Sequence, residues 1–189
     1  MDLKTIAVAS GNKGKIKEIC EIFTGVEIIS MHDLGFDGDI EETGKSFKEN
    51  AKIKAKFIAE KYKIPALADD SGLCVNSLYG APGIYSARFS GEGDEGNRKL
   101  LLKRLHGITD RKAYFESAVC LYFPDGRTYF GEGKTYGRIL QEEIGGNGFG
   151  YDCLFYSDDL KKSFGLATAE EKNSVSHRYR ALCDLRKKL

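Results

Sequence analysis

Residues 5–29, TIAVASGNKGKIKEICEIFTGVEII, hold the pattern on which the fold turns. Thr5–Ala9 is short, apolar and rich in β-branched side chains, the composition of a buried strand. Ser10-Gly11-Asn12 turns the chain, after which Ile16, Ile19, Cys20 and Phe23 recur at helical spacing and form one apolar stripe. Val26–Ile29 reads as a second strand. The order is β-loop-α-β, and in such units the loop after the first strand is where ligands tend to bind.

The same alternation continues outward. Gly44–Lys63 reads as a helix, with Phe47, Ala51, Ala55, Ile58 and Tyr62 facing a core. Pro65 ends it and opens a short strand, Ala66–Asp69. Asp94 is placed to cap an expected helix that carries Leu101 and Leu105 and stops near Gly107. Ala113–Phe123 alternates two sets of side chains, and Pro124-Asp125-Gly126 turns it into Arg127–Tyr136, a long hairpin. Cys153–Tyr156 is another short strand. Thr168-Ala169-Glu170-Glu171 is a capping box that starts a last helix to about Lys188. No repeat, linker or low-complexity tract divides the chain, so residues 1–189 are expected to form one α/β domain.

Composition narrows the function. At 189 residues, 41% hydrophobic and 30% charged, the chain is long enough and apolar enough for a real core. A formal net charge of +1 gives no bulk field to hold a nucleic-acid polymer or an anionic membrane, so any bound anion needs local cations. The five cysteines, Cys20, Cys74, Cys120, Cys153 and Cys183, are far apart and show neither CxxC nor paired spacing. That usage fits free thiols in a reducing cytoplasm. No apolar run approaches the roughly 20 residues needed to span a bilayer, and Met1-Asp2-Leu3-Lys4 opens straight into a strand pattern rather than a signal peptide.

Several stretches carry chemistry. Ala68-Asp69-Asp70-Ser71-Gly72 sets two carboxylates side by side at a strand end, where their repulsion is costly unless offset. Mg²⁺ would offset it, because it is hard and takes one or two carboxylates plus substrate phosphates. The plainer alternative is a turn in which one Asp caps a backbone amide. Glu41-Glu42-Thr43-Gly44 is a second acidic pair, either a further metal ligand or a partner of the helix dipole. Ser10-Gly11-Asn12-Lys13-Gly14-Lys15 is not a Walker A loop, which needs GxxxxGK[ST]. It still offers a helix N-terminus and two lysines after a strand, a phosphate site or else a solvated first turn. In Gly145-Gly146-Asn147-Gly148-Phe149-Gly150-Tyr151-Asp152 an aromatic stands between glycines, open to stacking on a base or tucked into the core. The last helix carries Lys172, Ser176, His177, Arg178 and Arg180, a basic set that also suits a solvated face; the three histidines lack zinc-ligand spacing.

Together these stretches closely resemble the inosine triphosphate pyrophosphatase family, also called HAM1-like or non-canonical purine NTP pyrophosphatases. The resemblance runs through SGNKGKIKEI at 10–19, EETGKSFKENAKIKAKF at 41–57, PALADDSGL at 65–73, GAPGIYSARFSG at 80–91, GFGYDCLF at 148–155 and EEKNSVSHRYRAL at 170–182. Ser10 stands where many members have Thr, which keeps the hydroxyl. The resemblance implies Mg²⁺-dependent hydrolysis of ITP, dITP and XTP between the α- and β-phosphates, giving a nucleoside monophosphate and pyrophosphate and cleansing the nucleotide pool. It also implies an elongated mixed sheet with flanking helices, two lobes around a central substrate cleft, and a homodimer.

By position, the resemblance gives Ser10, Gly11, Asn12, Lys13, Gly14 and Lys15 to the triphosphate, with Lys54 facing the phosphates and Ser71 touching substrate. Glu42 and Asp70 would bind metal, with Asp69 supporting; Asp70 would also accept the proton of the attacking water. Phe149, Gly150, Tyr151 and Asp152 would border the base, and Lys172, His177 and Arg178 would complete the base and phosphate pocket. Two other readings stand beside this one. A Maf-like nucleotide pyrophosphatase of other specificity would lack the FGYD and SHR stretches. A nucleotide-binding regulator that has lost catalysis would show a broken acidic cluster, whereas Glu42, Asp69 and Asp70 are all present.

Overall fold

The computed structural model describes residues 3–189. It holds one mixed seven-stranded sheet with flanking helices, in the order β2-β1-β3-β4-β5-β6-β7. The strands are β1 (Thr5–Val8), β2 (Glu27–Ser30), β3 (Ala66–Val75), β4 (Lys112–Tyr122), β5 (Thr128–Ile139), β6 (Phe155–Ser157) and β7 (Lys162–Ser163). The helices are α1 (Lys13–Ile22), α2 (Phe47–Tyr62), α3 (Gly93–Arg104), α4 (Ala169–Val175) and α5 (His177–Arg186). The chain divides into two compact units. The first takes the described chain up to Asp70 with Ser117–Gly133 and Arg178–Leu189; the second takes Ser71–Glu116 and Lys134–His177.

In the first unit β1 pairs in parallel with β2 and with β3, as a β-α-β opening requires. The period-two alternation of each strand feeds two separate cores. Ile6, Val8, Leu67, Val119, Leu121 and Phe123 pack with Ile19 and Phe23 of the α1 region and with Ala181, Leu182 and Leu185 of α5. Ala7, Ala9, Ala66, Ala68, Cys120 and Tyr122 on the other face meet Ala51, Ala55, Ile58 and Ala59 of α2. That second core is built largely from alanine, so α2 lies close on the sheet. Its next turn brings Asn50 and Lys54 to the acids of β3.

The second unit has its own core. Leu73 and Val75 of β3, Leu101 and Leu105 from the α3 region, Ala113, Phe115, Ile139, Tyr151, Leu154, Phe155 and Phe164 form one cluster. Here β5 pairs antiparallel with β6, and β6 with β7.

Four sequence expectations are corrected. Asp94 does not cap α3: Glu92 holds the cap position with no side-chain hydrogen bond, and the Asp94 carboxylate accepts the Gly150 N–H instead. β3 does not stop at Asp69 but runs on to Val75, so the acidic pair lies within a strand rather than at its end. The stretch read as a strand from Cys153 is a 3-10 turn over Asp152–Leu154, with β6 starting at Phe155. The last helix is two helices, because Ser176 adopts extended backbone, φ −67° and ψ 150°. The break has a local cause. The Val175 carbonyl, which would serve the next helical turn, accepts the Thr135 hydroxyl instead.

Candidate active site

Asp69 and Asp70 sit on β3 of the first unit, both buried, and their neighbours treat them differently. Asp69 is held by cations. Lys15 Nζ lies 3.1 Å from its Oδ1 and 3.0 Å from its Oδ2, and Arg178 Nε donates to Oδ2 at 3.0 Å. Arg178 also donates from Nη1 to Glu18 Oε2 at 3.0 Å. Burial by itself would push the Asp69 carboxyl up, yet the charges of Lys15, Arg178 and Lys54 outweigh it and hold the group well below the usual carboxylate range.

Asp70 has less positive charge around it. Asn50 Nδ2 donates to its Oδ2 at 3.0 Å, and Lys54 Nζ stands 3.8 Å from Oδ1. The same Lys54 ammonium is 2.6 Å from Glu42 Oε1, so one lysine serves two carboxylates. Burial raises the Asp70 pKa; Lys54 and Asn50 oppose the rise, while Glu42 and Asp69 add to it. Asp70 therefore holds a proton more readily than Asp69 does.

The loop after β1 is braced from within. Asn12 caps α1, its Oδ1 accepting the N–H groups of Gly14 at 2.9 Å and Lys15 at 3.2 Å, and Ser10 Oγ accepts the Asn12 N–H at 3.1 Å. Three amides that an anion was expected to use are thus already bonded. What the loop presents outward is the exposed Lys13. The ring of His32 covers Gly11 so closely that a Cβ there would lie 2.0 Å from His32 Nε2, so a larger residue would have to displace that ring. His32 Nδ1 in turn lies 2.7 Å from Asp37 Oδ1.

In the second unit, Phe149 is 60% exposed while its neighbours are tied down. Asp152 Oδ2 accepts the Phe149 N–H at 2.8 Å and an ammonium hydrogen of Lys172 at 2.5 Å. Lys172 Nζ also stands 4.5 Å from the Phe149 ring centroid. Gly148, at φ +79°, leaves room for that carboxylate, since a Cβ there would lie 2.1 Å from Asp152 Oδ2. Tyr151 is buried, its hydroxyl donating to Ser86 O at 2.9 Å, and burial pushes its pKa up. His177 is buried and stacks on Phe115 at 5.0 Å and 15°. Ser71, next along β3 from Asp70, is half-buried.

The sequence reading is thus sorted by unit. Ser10, Gly11, Asn12, Lys13, Gly14, Lys15, Glu42, Lys54, Asp69, Asp70 and Arg178 fall in the first, and Ser71, Phe149, Gly150, Tyr151, Asp152, Lys172 and His177 in the second. Arg178 was grouped with Lys172 and His177, but its guanidinium engages Asp69 and Glu18. Five residues that the sequence does not assign to a site take part in it: Glu18, His32, Asn50, Asp94 and Arg98. Two of them had a readable signal, since Asn50 precedes Lys54, and Asp94 precedes Arg98, by four residues on one helix face.

A profile of the Ham1 family matches residues 6–188. The dITP/XTP pyrophosphatase of Thermoanaerobacter pseudethanolicus is 49% identical over 187 residues, which cover 96% of this chain and 94% of that protein. Among solved structures, the Staphylococcus aureus Ham1 protein superposes with a TM-score of 0.90 at 39% identity, covering 98% of this chain and 100% of that one. A HAM1 protein from Coxiella burnetii gives a TM-score of 0.92 at 35% identity, covering 98% of both chains. With the profile spanning nearly the whole sequence and the fold shared at this level, the chain belongs to the Ham1 family.

Proposed function

We propose that this chain hydrolyses the non-canonical purine nucleoside triphosphates dITP, XTP and ITP to the nucleoside monophosphate and pyrophosphate, with Mg²⁺, as a cytoplasmic homodimer formed from one Ham1 domain per chain. The observation that carries this reading is the pair of buried or half-buried carboxylates, Glu42 and Asp70, that share the single ammonium of Lys54.

That pair suits a hard cation. Both donors are carboxylate oxygens, and one ammonium, Lys54 Nζ, faces them both. Asp69 is different, since its oxygens already face Lys15 and Arg178. No three His, Cys, Asp or Glu side chains among the described residues are placed to hold one ion together, so the protein would supply Glu42 and Asp70 and leave other positions to water and phosphate. When bound, the ion supplies charge neutralisation at the triphosphate and at the reacting phosphorus.

The chain's own residues do the rest. Asp70, ionised in that setting, orients a water and takes its proton. Lys13 and Lys15, at the start of α1, attract the phosphates, and Lys54 holds Glu42 and Asp70 at one end of α2. Phe149 offers its exposed ring to the base, beside the ammonium of Lys172. Base selection follows from position 6, where hypoxanthine and xanthine carry a carbonyl acceptor and adenine an amino donor. A donor such as Lys172 rewards the carbonyl and leaves the amino group badly paired.

The test is pyrophosphate release from dITP, XTP, ITP, ATP and GTP, with Mg²⁺ and with chelator. Fast release from the first three, slow release from ATP and GTP, and loss on chelation are expected. Equal rates on ATP and ITP sink the specificity, and activity indifferent to chelation sinks the metal.

A further inference from the structure

Asp94 and Arg98 lie one turn apart on α3, and both reach the same residue of the glycine-rich loop, Gly150. Asp94 Oδ2 accepts the Gly150 N–H at 2.9 Å, and Arg98 Nη1 donates to the Gly150 carbonyl at 3.1 Å. Arg98 is itself fixed, because its Nε donates to Glu143 Oε1 at 2.9 Å. Both polar groups of one backbone residue are therefore gripped from one helix face. A cavity of about 290 Å³ is lined by Asp94, Arg98, Glu143 and the loop, so hydrogen bonds rather than packed side chains span this gap.

The grip falls next to Phe149. The Phe149 N–H is anchored on one side by Asp152, and the Gly150 peptide on the other by Asp94 and Arg98. With its backbone pinned on both sides, the direction in which Phe149 leaves the chain is fixed, and the base of the exposed ring with it. Asp94 is exposed, so burial does not dictate where its carboxylate goes.

We propose that Asp94 and Arg98 are positioning residues that hold the Phe149 ring in the attitude that receives the nucleobase. The proposal rests on the reading of Phe149 as the stacking surface. Their effect belongs to nucleotide binding and not to the phosphate chemistry, because the contact they control is equally present before and during hydrolysis.

The experiment is steady-state kinetics on ITP, with inhibition by inosine monophosphate and by inorganic pyrophosphate, for Asp94→Ala, Arg98→Met, Asp94→Asn and Phe149→Ala. Losing either hydrogen bond should raise KM and the monophosphate inhibition constant about five- to tenfold, with kcat within about twofold of the parent. Pyrophosphate inhibition should not move. Asp94→Asn keeps an oxygen acceptor for the Gly150 N–H and should restore KM. In a Phe149→Ala background, Asp94→Ala should add nothing further, as expected of residues that act through the same ring. If Phe149→Ala raises KM while both clamp variants keep the parent value, the proposal is overturned and the reading of Phe149 stands. If Phe149→Ala leaves KM unchanged, the reading itself falls, and the proposal with it. A fall in kcat together with weaker pyrophosphate inhibition in Asp94→Ala marks a general structural role and also overturns it.

Discussion

Asn50 donates its side-chain amide to Asp70 Oδ2 at 3.0 Å, and its own Oδ1 accepts the Gly44 N–H at 2.8 Å. One fully buried amide thus ties the segment that carries Glu42 to the strand that carries Asp70. Asn50→Ala would leave the Gly44 N–H without this acceptor, at a cost of about 1–3 kcal/mol. A lower denaturation midpoint and a lower kcat are expected together, and Asn50→Asp should be worse because it faces Asp70 with another carboxylate. Denaturant unfolding and ITP turnover check this; parent-like values for both variants contradict the tie.

Replacing Asp70 with Asn keeps the size of the side chain and removes its basicity. Turnover should fall by about 10²–10⁴-fold, the usual contribution of a positioned general base. Nucleotide binding, followed by calorimetry with ITP, should weaken far less than turnover, because Glu42 and the lysines remain. A variant that still turns over at the parent rate removes Asp70 from the role of proton acceptor.

Arg178 stands 5% exposed between Asp69 and Glu18. Truncating it to Ala strands buried carboxylate charge, and such losses run to about 3–5 kcal/mol. Arg178→Lys should recover little, since one ammonium cannot reproduce a fork that reaches two carboxylates. Unfolding curves in urea decide the point, and a loss of stability confined to Ala would contradict it.

The thiols report on burial. Cys120 is pushed up to about 12 by burial, against the pull of Lys52 and Lys48, and Cys74 to about 11 by burial with help from Glu116. Cys153 is likewise pushed to about 11 by burial and Glu143, while Cys20 is exposed. At pH 8 a disulfide reagent should therefore modify Cys20 well before Cys74 or Cys120. The linkage sign follows. These raised values mean the folded state keeps protons that the unfolded chain releases, so their contribution to stability is intact below the ordinary thiol value of 9.0 and fades as pH climbs towards 11–12. Unfolding followed from pH 8 to 11 should show that decline; a flat profile would speak against it.

Local patterns predicted most of the elements. The β-α-β opening, the α2 stripe, the β4-β5 hairpin and the Thr168 capping box each depend on neighbours within a few residues, and each is found close to where its pattern lies. Two of the departures have non-local causes. β3 was ended at Asp69 because two carboxylates look unfit for a strand interior; Lys15, Arg178, Asn50 and Lys54, from 16 to more than a hundred positions away, make the strand tolerable. The last helix was read as continuous because its propensity is continuous, and the Thr135 hydroxyl that takes the Val175 carbonyl comes from β5. The candidate site divides the same way. Glu42, Asp70 and the lysines were legible as charges near glycine, whereas Asn50 and His32 matter for what they touch, and nothing in their own neighbourhoods announces it.

The side chains around Asp69 and Asp70 have a further consequence. Lys13, Lys15, Lys54 and Arg178 are balanced by Glu18, Glu42, Asp69 and Asp70, most of them engaged in ion pairs within the first unit. An electrically neutral cluster has little pull on a polyanion by itself. Under the proposed function, a divalent ion held by Glu42 and Asp70 would tip the balance, and a triphosphate would add oxygen ligands to it. Each would then raise the affinity for the other by the same factor, so that metal and nucleotide would load as a linked pair.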